Sequence, residues 1–286
     1  MSKQKKTIEI KSNTGIFDVN FLEILDYRNL IWQFVTKDFI VSYKQTVLGP
    51  AWAVLRPFLL TVVFTFIFGN VAKLGPAGVP AFIFYYSGNI LWSYFSTCLT
   101  ETSDTFVKNK GILSKVYFPR LIMPISITLS KLIPFGIQFI FLVFFIIYYL
   151  IVQQNINPNI YMLMTPLFIL QLALLGMGIG IIITSVTKKY RDLLVLSQFI
   201  IQVWMYFSPI TYDVKKMPSL APGGKYHLLF MLNPITPVVN AFRYAFLGIG
   251  EINWLFYNIG WIITIFVIFI GVIVYNRAEK TFVDTI

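Results

Sequence analysis

The sequence predicts an all-α integral membrane protein with six transmembrane helices, an amphipathic interfacial helix before the first and a pair of short re-entrant helices between the fifth and sixth. Three observations predict this fold class. The 286 residues are 57% hydrophobic and only 12% charged, whereas soluble domains carry about 25% charged residues. Six stretches reach the length of about 20 apolar residues that a helical span needs. Lysine and arginine concentrate in alternate connecting segments.

The front of the chain is predicted to lie on the membrane rather than in it. Residues 1–20 are expected to be a cytosolic tail, since they are lysine-rich and lack the apolar stretch of a signal peptide. Residues 21–50 are predicted to form the amphipathic interfacial helix, followed by the six-span domain in residues 51–286. At 100° per residue, Gln33, Thr36 and Lys37 share one narrow polar stripe, while apolar residues cover the rest. This pattern is typical of a helix at a bilayer surface.

The six predicted spans are residues 52–72, 82–101, about 124–150, 161–187, 193–212 and 254–276. With the N-terminus in the cytosol, most lysines and arginines fall in cytosolic segments, so the positive-inside rule places both termini there. Gly176 and Gly180 predict a close helix contact on the fourth span. Arg56 and Lys131 lie toward the cytosolic ends of their spans. They either anchor the topology or contact an anionic headgroup or substrate phosphate.

Residues 226–250 have two interpretations, because they are apolar enough for a seventh span. Pro234 and Pro237 each remove a backbone donor and disfavour helix in the preceding residue. Irregular backbone within a membrane must be buried in protein or line a cavity. Two short helices that enter from the outer face and break around residues 233–237 therefore fit better than a full crossing.

Residues 102–118 form a polar segment between the second and third spans. Thr102 and Ser103 followed by Asp104 are a helix start signal, and Gly111 is a stop signal. We expect a short cytosolic helix that acts as a lever on a partner. An ordinary solvated loop is the alternative.

The residues needed for catalysis are missing from the sequence. His227 is the only histidine and Cys98 the only cysteine, so histidine pairs and cysteine clusters for metal are excluded. No Gly-rich loop followed by Lys and Ser or Thr is present to hold ATP phosphates, and no predicted span has a carboxylate near its middle, as proton-coupled carriers usually do. The net charge of +11 is distributed by topology, which disfavours nucleic-acid binding. We expect a transport subunit without a cofactor of its own, driven by a partner.

Aromatic residues are dense in the predicted spans, with 28 Phe, 16 Tyr and 6 Trp in the chain. Trp92 and Trp204 fall near mid-bilayer, where indole N–H groups need polar partners. Together with their neighbours they suggest a route for a molecule with apolar ring faces and hydroxyls, such as a sugar chain; helix packing alone is the alternative. The candidate substrate path is Trp92, Tyr94, Phe95, Trp204, Tyr206 and Phe207.

Five motifs occur in order along the chain: Tyr-Lys-Gln-Thr-Val-Leu-Gly-Pro-Ala-Trp at 43–52, Tyr-Phe-Pro-Arg at 117–120, Tyr-Phe-Ser-Pro-Ile-Thr-Tyr at 206–212, Leu-Asn-Pro-Ile-Thr-Pro at 232–237 and Ala-Phe-Arg-Tyr-Ala-Phe-Leu-Gly at 241–248. Together they resemble the membrane subunits of bacterial type-2 ABC exporters of polysaccharide, the permeases for O-antigen, capsule and teichoic acid. The resemblance runs from about residue 22 to the C-terminus.

This resemblance implies a homodimer in the plasma (inner) membrane that binds two copies of a separate ATPase, which holds ATP and Mg²⁺. The expected cargo is a lipid-linked polysaccharide, moved outward from the cytosol. A type-2 ABC exporter of a lipid or drug is the alternative within transport. A membrane-embedded glycan-assembly enzyme or scaffold is the alternative of another class.

The resemblance also assigns residues to two regions. Residues that couple to the ATPase fall in the interfacial helix and in the cytosolic segment of about 102–118: Arg28, Gln33, Lys37, Lys44, Asp104, Phe106, Lys108 and Lys115. Residues of an outer gate, formed by short helices in about 226–250, are Asn233, Pro234, Pro237 and Arg243.

Overall fold

The computed structural model describes residues 21–44, 46–113, 118–153, 155–187 and 192–283. The predicted tail of residues 1–20 and the predicted coupling residue Lys115 lie outside these ranges. Within them, every regular element is a helix. The helices are α1 (Phe21–Asp26), α2 (Arg28–Tyr43), α3 (Trp52–Phe64), α4 (Ala81–Ser103), α5 (Thr105–Lys108), α6 (Lys110–Leu113), α7 (Ile122–Ser130), α8 (Leu132–Ile151), α9 (Thr165–Thr187), α10 (Asp192–Tyr206), α11 (His227–Met231), α12 (Ile235–Leu247) and α13 (Trp254–Val283).

Four helical stretches are long and apolar enough to cross a membrane: Gly49–Val71, Ile122–Ile151, Ile160–Thr187 and Trp254–Arg277. They coincide with the first, third, fourth and sixth predicted spans. The second predicted span is α4, whose 23 residues extend about 35 Å, although its polar residues make it less apolar. The fifth is α10, which has 15 residues. The chain is therefore a multi-pass membrane protein, and its count of six spans stays a prediction.

The fifth predicted span ends earlier than expected. Helix α10 stops at Tyr206, and the chain turns through residues 207–212, where the Ser208 amide donates to the Met205 carbonyl at 3.2 Å. Pro209 explains the stop, because it has no N–H and its ring would crowd the Met205 carbonyl in a continued helix. The prediction of helix to residue 212 was wrong. The turn instead buries residues 208–212 inside the protein.

Helix α4 is the centre of the bundle and packs against α3, α8, α9 and α12. Its closest neighbour is α9. A Cβ at Gly176 would lie 3.0 Å from the Phe95 carbonyl oxygen, and one at Gly180 would lie 2.6 Å from Thr102 Cβ. The glycine face predicted on the fourth span is confirmed, since only glycine lets the two backbones approach this closely.

The third predicted span consists of two helices, α7 and α8, that meet at Lys131. Pro134 explains the junction, because it cannot donate to the Ser130 carbonyl and its ring crowds that group. Helix α2 lies against α7. The ammonium group of Lys131 donates to the Asp38 carboxylate of α2 at 2.8 Å, so the junction is joined to α2.

Residues 226–250 contain two short helices, α11 of 5 residues and α12 of 13 residues. Helix α12 extends about 20 Å, too short for a hydrocarbon core of about 30 Å. Pro234 precedes α12 and Pro237 lies in its first turn, where proline disrupts little. Entry of this pair from the outer face stays a prediction.

Residues 102–118, which are predicted to be cytosolic, differ in detail from the expected single helix. Helix α4 runs on to Ser103, and the segment then forms α5 and α6, which are separated at Asn109. The Asn109 side chain donates to the Thr105 carbonyl at 3.1 Å, which competes with continuation of the helix. The expected stop at Gly111 was wrong, because α6 includes that residue.

We predict that Gly180→Ala destabilises the protein by about 1–3 kcal/mol, because the added methyl group would overpack the contact between α4 and α9. Thermal unfolding of the detergent-purified protein measures this as a lower melting temperature. Gly136→Ala is the matched control, since a Cβ on this helical glycine meets nothing within 4 Å. Equal melting temperatures for the two variants would contradict the packing argument.

Candidate functional site

One end of the bundle is held together by an apolar cluster that joins α2 to α5. Leu30, Ile31 and Phe34 of α2 pack against it. Because it receives residues from α1, α5, α7, α9 and α13, displacement of α2 or α5 would disturb several long helices at once. We call it the interface cluster, and its buried members are Ile24, Phe106, Phe118, Ile122, Met123, Ile181 and Tyr275.

Phe106 lies inside the interface cluster. Its ring stacks on Tyr275 with centroids 4.9 Å apart, and its amide donates to Thr184 Oγ1 at 3.3 Å. The hydroxyl of Tyr275 donates in turn to the Arg120 carbonyl at 3.2 Å. Sequence reasoning placed Phe106 in the coupling set. The structure buries it, so it anchors α5 to α9 and α13 rather than offering a surface.

The polar residues of the predicted coupling set divide by location. Arg28, Gln33, Lys37 and Lys44 are all exposed on or just after α2. At 100° per residue, Gln33 and Lys37 share one side of α2, whereas Arg28 lies nearly opposite to them.

Lys108 and Asp104 belong to a second group and bind each other. The Lys108 ammonium lies 2.9 Å from the Glu101 carboxylate and 3.3 Å from that of Asp104. Partial burial lowers the pKa of Lys108, but the hydrogen bonds and negative charges of the two carboxylates raise it overall above its ordinary value. The cation is therefore retained, and it fixes α5 to the end of α4. Sequence reasoning did not assign Glu101 to this group.

Asp38 was also missed by the sequence analysis, which left Lys131 as either a topology anchor or an anion contact. The two residues form an ion pair at 2.8 Å, and Ser130 Oγ donates to the same carboxylate. The only signal in the sequence is that an acid occurs in a helix otherwise lined with cationic and neutral residues. Their separation of 93 positions is beyond any helical periodicity.

Asn233 joins the predicted gate to the end of α10. Its Oδ1 accepts from Trp204 Nε1 at 3.2 Å and from the Ile235 amide at 3.2 Å. Its Nδ2 donates to the Phe207 carbonyl at 3.0 Å and to Ser208 Oγ at 2.9 Å. These four hydrogen bonds satisfy the side chain completely. Trp204, Phe207 and Asn233 also line one largely apolar groove of about 770 Å³, so predicted path and gate residues meet here.

Arg243 of α12, a predicted gate residue, is 3% exposed and holds α12 against α4. Its guanidinium donates to the carbonyl oxygens of Pro209, Phe84 and Ile210, and its central carbon lies 3.6 Å from the centre of the Phe84 ring. Gly88 leaves the necessary space, because a Cβ there would lie 2.5 Å from Arg243 Nη2. Arginine suits this position, since several donors diverge from one planar group.

The six predicted path aromatics are not equivalent in the structure. Trp92, Tyr94 and Phe95 are buried in the core around α4, and the Phe95 ring packs edge-on to Trp204 at 5.4 Å. Tyr206 and Phe207 are 55% and 63% exposed at the end of α10. A role in substrate transport stays a prediction for the set, and Tyr206 and Phe207 are the members that a polymer could reach directly.

Comparison with known proteins identifies relatives along most of the chain. The family model described as "ABC-2 type transporter" matches residues 29–247. An "O-antigen export system permease protein RfbA" of Klebsiella pneumoniae is 24% identical over 280 residues, which cover 97% of this chain and 99% of the relative. A protein of the same name from Myxococcus xanthus is 22% identical over 225 residues, covering 78% of this chain and 82% of the relative.

We predict that Arg243→Met destabilises the protein by about 3 kcal/mol, because buried carbonyl groups lose their donors. Thermal unfolding in detergent measures the change. Lys225→Met, at an exposed residue of the preceding loop, provides a control that removes a positive charge without removing a buried donor. If the two variants melt at the same temperature, Arg243 does not hold α12 in place.

Proposed function

The chain belongs to the ABC-2 type transporter family, and on that premise we propose that it is the transmembrane subunit of an ATP-driven exporter that moves a lipid-linked polysaccharide out of the cytosol. One observation carries the proposal. Relatives named as O-antigen export permeases align with this chain over nearly its whole length and theirs. Export of an unrelated lipid or drug, and a role as a glycan-assembly enzyme or scaffold, are not favoured by these similarities.

Energy for export comes from a separate ATPase, which binds ATP and Mg²⁺. The membership in a transporter family supports this partner, and the sequence offers no phosphate-binding loop of its own. Arg28, Gln33, Lys37 and Lys44 form the docking surface on α2. Movement of the ATPase reaches the membrane helices through the interface cluster, because Phe106 and Phe34 pack into the same group of side chains.

Two copies of the chain assemble, with two copies of the ATPase. Support comes from α10, which buries only Ser197 and Ile201 in the single chain. Large apolar side chains of this helix remain exposed, including Val195 and Phe199. A second copy covers this surface, and the glycan passes between the copies, beside Tyr206 and Phe207. The topology has six spans in the plasma (inner) membrane with both termini in the cytosol.

The mechanism follows from this arrangement. ATP-driven closure of the partner subunits pushes α2 and α5, and the helices that share the interface cluster shift between two packings. At the outer face, α11 and α12 form the gate. Asn233 and Arg243 keep it closed by binding the turn after α10, and rearrangement of that turn opens it.

Purification of the chain together with its ATPase tests the proposal. We expect a complex with two copies of each subunit, and we expect lipid-linked glycan to stimulate its ATP hydrolysis in nanodiscs. An unrelated phospholipid or a hydrophobic drug should not stimulate it. Failure to assemble with an ATPase, or hydrolysis that glycan leaves unchanged, would refute the proposed function.

The double variant Arg28→Glu with Lys37→Glu tests the docking surface. We expect ATPase binding to weaken about ten-fold or more, since two exposed contacts change from one charge to the other. Lys225→Glu, far along the chain in the loop before α11, should bind as the wild type does. Binding is measured by titration of the ATPase onto the immobilised membrane subunit. Unchanged affinity in the double variant would show that the ATPase docks elsewhere on the protein.

A further inference from the structure

A cavity of about 380 Å³ lies where α2, α3 and α4 meet the junction of α7 and α8. This volume is within the range of small-molecule sites. Its lining is polar for a membrane protein, with hydroxyl groups on Ser42, Tyr43, Ser93 and Thr97. Arg56 and Lys131 also line it, so both cations that the sequence places near the ends of spans meet at one cavity.

The two cations are not equivalent. Lys131 is neutralised by Asp38 at 2.8 Å. Arg56 makes no ion pair or hydrogen bond with any residue that the structure describes. The cavity therefore carries one uncompensated positive charge, on a guanidinium whose planar fork of donors matches a phosphate group.

Gln138 closes one wall of the cavity. Its Nε2 donates to the Ala53 carbonyl at 2.8 Å, which holds the side chain between α3 and α8. The hydroxyl groups of Ser42, Tyr43, Ser93 and Thr97 line the cavity, and a hydroxyl both donates and accepts hydrogen bonds. The cavity therefore suits a molecule that carries both phosphate and hydroxyls.

The rim of the cavity can accommodate an apolar chain. Trp52 lines the cavity and is partly exposed. Leu59 and Leu60 follow Arg56 on α3 and face outward. A lipid chain lying on this face would bring its phosphate to Arg56 without burying the charge in hydrocarbon.

We propose that this cavity binds the phosphate and first sugar of the lipid-linked glycan, with Arg56 as the phosphate ligand and the hydroxyl groups of the lining as partners for the sugar hydroxyls. The inference rests on the proposed function and assigns it a loading site. Asp38 is a positioning residue, because it holds Lys131 and keeps the site at a single positive charge.

The test measures binding of three probes to the complete complex in nanodiscs. They are a polyprenyl-phosphate-linked oligosaccharide, the same oligosaccharide joined to polyprenol without phosphate, and phosphatidylglycerol. We expect Arg56→Gln to weaken the Kd of the first probe about ten-fold or more, as expected for loss of a hydrogen-bonded charge. Arg56→Lys should weaken the Kd of this probe less, because it keeps the positive charge. The phosphate-free probe should bind weakly and equally to all variants.

Lys225→Gln is the control, because it removes an exposed positive charge in the loop before α11, outside both the cavity and the proposed docking surface. An unchanged Kd in Arg56→Gln would overturn the inference. The inference would also be overturned if phosphatidylglycerol bound as tightly as the glycan probe and Arg56→Gln weakened both Kd values equally. The cavity would then be a general site for anionic lipids. ATP hydrolysis by the wild-type complex distinguishes the two possible failures. If glycan stimulates hydrolysis but Arg56→Gln binds the probe normally, only the loading site is wrong. If glycan does not stimulate hydrolysis, the proposed function itself is wrong.

We expect Asp38→Asn to strengthen binding of the phosphate-linked probe, whereas Arg56→Gln weakens it. It frees Lys131 to interact with the phosphate, so the Kd of the phosphate-linked probe should become several-fold tighter. A gain of affinity cannot result from misfolding. Weaker or unchanged binding in a variant that retains the wild-type melting temperature would contradict the assigned role of Asp38.

Discussion

The close contact between α4 and α9 is the constraint on which both candidate sites depend. Gly176 and Gly180 let the backbones meet, and this contact fixes a helix whose two ends serve different purposes. At one end Phe84 and Gly88 form the seat of Arg243. At the other, Glu101 pairs with Lys108 of α5. A change in α4 would therefore act on α12 and α5 together.

The turn after α10 depends on a second constraint, the satisfaction of buried backbone groups. The turn interrupts a helix, and interrupted backbone that is buried in protein needs partners other than water. Arg243 and Asn233 supply them, through donors to the carbonyls of Phe207, Pro209 and Ile210. These hydrogen bonds join the turn to the helix pair that we propose as the outer gate.

Sequence reasoning identified the long helices, the glycine contact and the two-helix character of residues 226–250, because each has a local signal in apolar length, small-residue spacing or proline position. It did not identify the ion pair of Asp38 and Lys131, which joins elements far apart in sequence. It also did not separate Phe95, which is buried, from Phe207, which is exposed. Aromatic residues occur both in a packed core and along a substrate path. Only the direction in which each side chain points distinguishes the two cases, and the sequence does not show that direction.

Export of lipid-linked polysaccharide across a bilayer, with energy from a partner ATPase, is the proposal on which the other proposed roles depend. Proteoliposomes that contain the complete complex, with the ATPase facing outward, provide a direct test. The measurement is the fraction of externally supplied lipid-linked glycan that becomes protected from an added glycosidase. We expect protection to rise with time in ATP and Mg²⁺ and not to rise with a non-hydrolysable ATP analogue. Glycan that remains fully accessible while ATP is hydrolysed would refute the proposed export.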